Sequence, residues 1–316
     1  MEYIKNTTDF CLREASAVSL GKFDGIHKGH GRLLKYLQEK KKEGLKAVLF
    51  TFDIPPGWRL SSPGQKVLTT NEERVRLCSE HGIDCLIECP FTDAIRFMEA
   101  EDFVEMIVGR LSIKNMVVGK DFRFGHGRKG DYRLLQKLSE KYGYEVEAVD
   151  KLKYNGTDIS STFVRDEILA GRLNKANSLL GYPYFTEGTV VHGNKLGGAA
   201  LGIPTANLVL PKEKLLPPFG VYLTRTVIYG QEDGCGVYGS VTNVGCKPTI
   251  EGENPVGVET HLLGFDKQIY GRKIRVEFLE MVRGEKKFGS LEELKRQMQQ
   301  DIAYGIKYYT VVTNLC

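Results

Sequence analysis

Apolar positions in the first half of the chain come in short unbroken runs that alternate with amphipathic stretches. Ala17-Val18-Ser19-Leu20 predicts a buried strand, and residues 29–42 a helix carrying Leu33, Leu34 and Leu37 on one face. A strand follows at 47–52, a helix at 72–81, strands at 85–87 and 116–118 with a helix at 103–111 between them, then a helix at 132–142 and a strand around Val146. Strands that are apolar throughout, alternating with helices, predict a parallel sheet covered on both faces. Ligands of such sheets bind at the carboxyl ends of the strands, so the loops after strands are the first place to look for chemistry.

Residues 162–169 and 173–180 read as two short helices, stopped by Gly181-Tyr182-Pro183. Beyond them the period changes. Residues 187–191, 206–210, 220–229, 236–244, 258–263 and 273–279 are β-rich runs separated by Gly, Pro and Asn, a spacing that predicts an antiparallel barrel or sandwich. A last helix is expected over 291–304. The chain therefore divides near residue 183 into two domains, 1–183 and 184–316, which suits its 316 residues.

Composition narrows the class. With 41% hydrophobic and 27% charged residues the chain is neither disordered nor membrane-embedded, and it holds no apolar stretch of 18 residues. The first residues, Met1-Glu2-Tyr3-Ile4-Lys5-Asn6, lack the apolar run of a secretory signal. A net charge of +4 admits an anionic small molecule but lacks the basic stripe of a nucleic-acid binder. Seven cysteines at irregular spacing read as reduced thiols of a cytoplasmic protein.

Three segments of the first half carry chemistry. The loop after the first strand runs Gly21-Lys22-Phe23-Asp24-Gly25-Ile26-His27-Lys28-Gly29-His30. Its glycines allow close approach of backbone to ligand, and a helix N-terminus follows, which favours phosphate. His27 and His30, three apart, share a face of the first turn and can donate to the phosphates of a nucleotide as pyrophosphate departs. The same residues also suit the plain capping of a surface helix. Val118-Gly119-Lys120-Asp121-Phe122-Arg123-Phe124-Gly125 follows a later strand; its aromatic pair can flank a flat ring or pack inward. Ile159-Ser160-Ser161-Thr162-Phe163-Val164-Arg165 offers hydroxyls and a guanidinium at a helix start, as caps or as a phosphate clamp.

The second half opens with Gly188-Thr189-Val190-Val191-His192-Gly193-Asn194-Lys195-Leu196-Gly197-Gly198, a Gly-rich loop able to cradle phosphates, before Pro204-Thr205-Ala206-Asn207. Thr205 and Asn207 alternate on a strand and face one side, a hydroxyl and an amide oxygen of the kind Mg²⁺ accepts. Val258-Glu259-Thr260-His261 places a carboxylate on another strand, where it is either solvated surface or a general base.

In order, G-x-F-D-G-x-H-x-G-H, V-G-x-D-F-x-F-G and I-S-S-T-x-V-R resemble the nucleotidyltransferase module of the bacterial bifunctional riboflavin kinase/FAD synthetases. G-x-V-V-x-G, P-T-A-N, P-x-x-G-V-Y, N-V-G-x-x-P-T and V-E-x-H resemble that family's kinase domain. The resemblance implies a Rossmann-like HxGH nucleotidyltransferase domain followed by a six-stranded Greek-key barrel with a C-terminal helix. It implies ATP-dependent phosphorylation of riboflavin to FMN, then adenylylation of FMN to FAD. On it, His27 and His30 act at the phosphates and Glu259 is the base on the ribityl hydroxyl. Gly21, Phe23, Asp24, Gly25, Ser160, Ser161, Thr162, Arg165, Gly193, Lys195 and Gly197 hold nucleotide or phosphate. Asp121, Phe122 and Phe124 contact flavin, and Thr205 and Asn207 meet Mg²⁺ with ATP. The implied partners are riboflavin, FMN and ATP; composition points to no nucleic acid and no membrane, with room for a weak homo-oligomer.

The chain departs from the pattern twice. Pro55 stands where the family carries a phosphate-binding histidine, and proline has no donor to offer. The Arg expected just before L-G-x-P-T-A-N is absent, and Gly198-Ala199-Ala200 stands there instead. Two alternatives stay beside the main reading: a riboflavin kinase with a weak or inactive adenylyltransferase domain, and a flavin-binding regulator without turnover.

Overall fold

The computed structural model describes residues 1–53, 66–193, 202–231, 234–246 and 256–313. Pro55, Lys195, Gly197 and the segment Gly198-Ala199-Ala200 lie outside those residues. The chain forms two compact units, Met1–Phe163 and Val164 onward.

The first unit is built on β1 (Glu2–Lys5), β2 (Ser16–Leu20), α1 (Lys28–Lys42), β3 (Lys46–Asp53), α2 (Asn71–Glu80), β4 (Cys85–Pro90), α3 (Asp93–Arg96), α4 (Ala100–Leu111), β5 (Ile113–Gly119), α5 (Tyr132–Tyr142) and β6 (Glu145–Val149). The small pair β7 (Lys153–Tyr154) and β8 (Thr157–Asp158) follows. The main sheet has the order β1-β4-β3-β2-β5-β6, with every pair parallel. All five residues of β2 are buried, as a central parallel strand requires. Helix α1 buries Leu33, Leu34 and Leu37 on one stripe and ends in Lys40, Lys41 and Lys42, whose charge suits the negative end of the helix. Helix α2 opens with a capping box, in which Thr70 and Glu73 each bond the other's backbone N–H.

The strand order fixes where a ligand fits. Successive strands β2, β3 and β4 step one way across the sheet, whereas β5 and β6 lie on the other side of β2. The crevice between the carboxyl ends of β2 and β5 is the topological switch point, the position at which open α/β sheets bind ligands. The HxGH loop leaves β2 there, and the loop bearing Asp121 leaves β5.

The second unit contains most of α6 (Ser161–Leu169), then α7 (Leu173–Leu180), β9 (Phe185–Val191), β10 (Ala206–Val209), β11 (Gly220–Gln231), β12 (Gly234–Cys246), β13 (Val256–Leu262), β14 (Lys273–Gly284) and α8 (Leu291–Thr313). The six strands close into an antiparallel barrel of order β10-β13-β12-β11-β14-β9. One layer of its interior is a set of hydroxyls: Thr224, Thr226, Ser240, Thr242 and Thr260 are fully buried and bond one another at 2.6–3.5 Å. Each satisfies its neighbour, so this polar layer avoids the penalty of unpaired buried groups. Outside the barrel, α8 covers Val221, Leu223 and Val241, with Tyr309 Oη donating to the Thr224 carbonyl at 2.6 Å. Glycine is needed where the helix presses closest, because a Cβ on Gly239 would stand 2.6 Å from the Tyr309 ring. Helix α7 packs with this unit: Asn177 donates to the Phe278 carbonyl and accepts from the Tyr184 N–H.

Candidate functional sites

The loop between β2 and α1 is held in an uncommon backbone shape. Phe23 has φ +49°, Gly25 +82° and Ile26 +35°. A left-handed conformation is rare for a β-branched residue, and each such non-glycine residue costs on the order of 1–3 kcal/mol, so the surroundings must enforce it. They do so through Asp24. Its carboxylate Oδ1 accepts from the N–H groups of Leu68 at 2.9 Å and Thr69 at 3.1 Å. Its carbonyl accepts from Ser161 Oγ at 2.8 Å, which joins the hydroxyl-rich segment to this loop.

The turn delivers two imidazoles. His27 is the N-cap of α1, its Nδ1 accepting from the His30 N–H at 3.4 Å. Because Nδ1 is used as an acceptor, the proton of the neutral ring resides on Nε2, which is thereby a donor. His30 stacks on it with centroids 3.8 Å apart and 18° between planes. A Cβ at Gly29 would stand 3.0 Å from the His27 ring, which explains the glycine between the histidines. Burial lowers the His27 pKa from 6.5 to about 4, the Asp121 carboxylate opposing the shift, and burial next to His27 lowers that of His30 well below its ordinary value. Both rings are neutral donors at pH 7. The buried Nδ1 of His30 has no protein partner. An orphaned polar atom beside a donor ring fits a site that a polar ligand completes.

The other residues expected at the N-terminal site take differing roles. Gly21 lies under the Phe23 ring, which is itself fully buried and makes the loop's hydrophobic anchor. Asp121, exposed, pairs with Lys151 at 3.1 Å, and Lys151 also reaches Asp158 at 3.5 Å. Phe122 stacks on Phe124 with centroids 5.6 Å apart. Phe124 is 5% exposed and belongs to the core, with its ring 5.7 Å from Phe103. The F-x-F pair thus divides: Phe124 packs inward, and only Phe122 keeps a face toward the surface. Ser160 caps α6 by accepting from the Phe163 N–H at 3.2 Å, Thr162 is exposed, and Arg165, one turn on, is buried. Cys85 and Cys89 are separate buried thiols on β4, their pKa values pushed up by burial to about 12 and about 11.

The barrel's candidate site is a row across strands. Glu259 on β13 stands opposite Asn207 on β10 and opposite Asn243 on β12. Directly paired residues project to the same face, so the carboxylate is flanked by two amides on the outside of the barrel. Its neighbours in sequence, Val258 and Thr260, are buried. Asn207 is only 4% exposed, its Nδ2 lying 3.4 Å from the Thr205 carbonyl. The Gly193 backbone presses against it, since a Cβ there would stand 2.4 Å from Asn207 Nδ2. His261 Nδ1 bonds the Pro204 carbonyl at 2.8 Å, tying the turn before Thr205 to β13. The Thr205 hydroxyl and Asn207 amide oxygen are hard, uncharged donors, a set that suits a cation already carrying phosphate oxygens. Among the described residues no group of three or more His, Cys, Asp or Glu could hold a metal by itself.

A phosphate-type crevice on a parallel sheet, followed by a barrel with a carboxylate between amides, defines a chain that joins a nucleotidyltransferase unit to a kinase barrel. Comparison bears this out domain by domain: the FAD synthetase family matches residues 11–163 and the riboflavin kinase family residues 180–309. The bifunctional riboflavin kinase/FMN adenylyltransferase of Escherichia coli K12 is 36% identical over 292 residues, covering 92% of this chain and 91% of its own. That of Bacillus subtilis is 31% identical over 303 residues, 93% of each. A solved structure from Streptococcus pneumoniae, described as a macrolide-efflux protein, superposes with a TM-score of 0.81 at 32% identity over 95% of this chain and 96% of that one. No helix among the described residues here is long and apolar enough to cross a membrane. The chain belongs to the bifunctional riboflavin kinase/FMN adenylyltransferase family.

Proposed function

We infer that the two sites divide two consecutive reactions between them. As a member of its family the chain phosphorylates riboflavin to FMN and adenylylates FMN to FAD with release of pyrophosphate. The observation that supports the assignment of residues is the paired, neutral imidazoles at the sheet's switch point, within the segment matched to the FAD synthetase family.

In adenylyl transfer, an FMN phosphate oxygen attacks the α-phosphorus of ATP, and the bond to the β,γ-pyrophosphate breaks. The His27 Nε2–H points a fixed dipole at the charge that builds on the departing oxygens, and His30 supplies a second polar group beside it. Such preorganised donors stabilise the transition state more than the ground state. The N-terminus of α1 adds its own positive field. Ser160, Ser161, Thr162 and Arg165 serve the same phosphates from the segment leading into α6, with Gly21, Phe23, Asp24 and Gly25 shaping the loop. Asp121 and Phe122 meet the flavin, with Phe124 supporting Phe122 from the core.

In the kinase, Glu259 accepts the proton of the ribityl 5′-hydroxyl as its oxygen attacks the γ-phosphorus, and ADP leaves. Asn207 and Asn243, on either side, hold the carboxylate's surroundings polar and oriented. Thr205 and Asn207 would hold Mg²⁺ with ATP, and Gly193, Lys195 and Gly197 serve the phosphates. The ion, when bound, neutralises charge on the phosphate oxygens. We place the enzyme in the cytoplasm, where its reduced thiols and its substrates suit it, acting without nucleic acid or membrane and as a monomer or weak homo-oligomer. The two sets of motifs divide near residue 183, while α7 packs with the barrel unit.

Purified protein incubated with riboflavin, ATP and Mg²⁺ is expected to yield FMN first and FAD second. Accumulation of FMN without FAD points instead to a kinase with a weak adenylyltransferase unit, and bound riboflavin with neither product to a flavin-binding regulator.

A further inference from the structure

The turn that carries His27 is held from a part of the chain that no catalytic motif includes. Thr69 is 3% exposed and precedes the N-cap of α2, 44 residues beyond Gly25. Its Oγ1 accepts from the Gly25 N–H at 3.1 Å and lies 3.5 Å from Asp24 Oδ1. A hydroxyl with one donor and two acceptor positions fits both: it accepts from the backbone N–H and donates its own O–H toward the carboxylate. The same carboxylate oxygen also receives the N–H groups of Leu68 and Thr69. Gly25 stands at φ +82° between Phe23 at +49° and Ile26 at +35°, and His27 comes next.

A backbone in this shape does not hold itself. Left-handed residues relax toward the common wells unless neighbouring bonds over-determine them. Five bonds described here end on Asp24 or Gly25, and the Thr69 hydroxyl takes part in one to each residue. The α2 end of the tether is itself fixed, since Thr70 and Glu73 close a capping box. His27 follows directly on this tethered turn.

We infer that Thr69 is a positioning residue for adenylyl transfer: its hydroxyl locks the left-handed turn that sets His27 and His30 against the reacting phosphates. The assignment rests on the adenylyltransferase role of those histidines. It makes Thr69 a determinant of turnover and leaves substrate binding largely alone, because ground-state contacts tolerate a small displacement that a preorganised transition-state donor does not.

The test uses the full-length enzyme, in which the kinase serves as an internal control. Thr69→Val keeps the volume and the backbone N–H but removes the hydroxyl; Thr69→Ser keeps the hydroxyl. Adenylylation of FMN is measured as kcat and as KM for ATP and for FMN, alongside riboflavin phosphorylation and a thermal melt. For Thr69→Val the expected result is a fall in kcat of about 10- to 100-fold, with both KM values within about threefold, since a displacement near 1 Å is enough for such a loss. Thr69→Ser is expected to stay within about threefold of the parent in kcat, and the kinase rate is unchanged in both. A Thr69→Val enzyme with parental kcat overturns the inference, and so does a Thr69→Ser enzyme as slow as Thr69→Val. If Thr69→Val loses the melting transition of its unit, Thr69→Ala, which buries no added methyl against the carboxylate, is read by the same criteria alongside the serine variant. His27→Asn separates the two levels of the argument: if that variant also keeps parental adenylylation, the histidine assignment itself has failed, whereas a slow His27→Asn with an unaffected Thr69→Val removes only the role of Thr69.

Discussion

His27 and His30 form a stacked pair whose first member caps the helix that carries the second: the His30 N–H donates to His27 Nδ1, and the two rings lie 3.8 Å apart. One backbone bond thereby sets the tautomer of one imidazole and the placement of the other. His27→Asn isolates the catalytic part, because Asn also caps helices well. FMN adenylylation is expected to fall on the order of 10²-fold, the usual cost of losing a preorganised donor, with riboflavin phosphorylation unchanged. A steady-state assay of both reactions on the same preparation checks it.

The same pair gives the first unit an acid sensitivity. Burial takes the His27 pKa from 6.5 to about 4. Between those values the unfolded chain binds more protons than the folded one, so stability rises with pH across the window. The contribution is complete above about pH 6.5 and is lost as the pH falls toward 4. Melting temperatures of the parent are expected to drop over that interval more steeply than those of His27→Asn. Parallel curves for the two proteins would count against a buried neutral His27.

Glu259→Gln keeps the shape of the side chain between Asn207 and Asn243 but removes the proton acceptor. Kinase turnover is expected to fall by roughly 10²- to 10⁴-fold, the range that general-base catalysis supplies. FAD formation from added FMN continues at the parental rate. An unaltered kinase rate would sink the assignment.

Gly193→Ala tests a contact that leaves no space. The new methyl would stand 2.4 Å from Asn207 Nδ2, so either the amide or the loop must move. Kinase activity is expected to fall on the order of 10- to 100-fold with a higher KM for ATP, as expected of a shifted substrate contact. The adenylyltransferase reaction, measured from FMN, stays as it was.

Much of this architecture is written in the apolar runs. Strands β2, β3, β4 and β5 are legible because a central parallel strand needs apolar residues on both faces, and α1 and α5 because one stripe of each must face that sheet. The expected six β runs of the second half are the six strands of the barrel. The edge strand β1 escaped because its four residues, Glu2 to Lys5, are half exposed and carry no run. The β7–β8 pair, two residues on each side, is too short to leave a period. Helix α8 continues past the expected residue 304 to Thr313, and exposed Ile306 and Val311 blur the stripe that ends an amphipathic pattern. The candidate site was legible where its residues sit in one continuous loop, as with His27 and His30, which the structure stacks together. The sequence does not say which ring of Phe122 and Phe124 faces inward, because only packing against Phe103 decides it. Thr69 was invisible for a similar reason: a threonine before a helix start looks like any cap, and its partners Asp24 and Gly25 are distant in sequence.

Cutting the chain compares two boundaries. A fragment beginning at residue 164 retains α7, which buries Leu173, Ala176, Leu179 and Leu180 and bonds to the barrel strand β14 through Asn177. A fragment beginning at 184 loses that cover. Both are expected to make FMN from riboflavin and no FAD, the shorter one melting more than about 5 °C lower, since several buried apolar side chains are exposed. Folded fragment that binds riboflavin without phosphorylating it would count against the barrel as the kinase.

The barrel row of Asn207, Glu259 and Asn243 has a consequence for strand register. Along β13 the Glu259 carboxylate alternates with Val258 and Thr260, which belong to the closed interior. A slip of one residue in pairing would exchange the two faces, driving Glu259 into the hydroxyl layer and Thr260 out to solvent. A charge among those threonines has no counter-ion, so the misregistered barrel does not close. The polar row and the packing face are thus two readings of one alternation, and a chain that passes the test of folding has already passed the test of turning Glu259 outward.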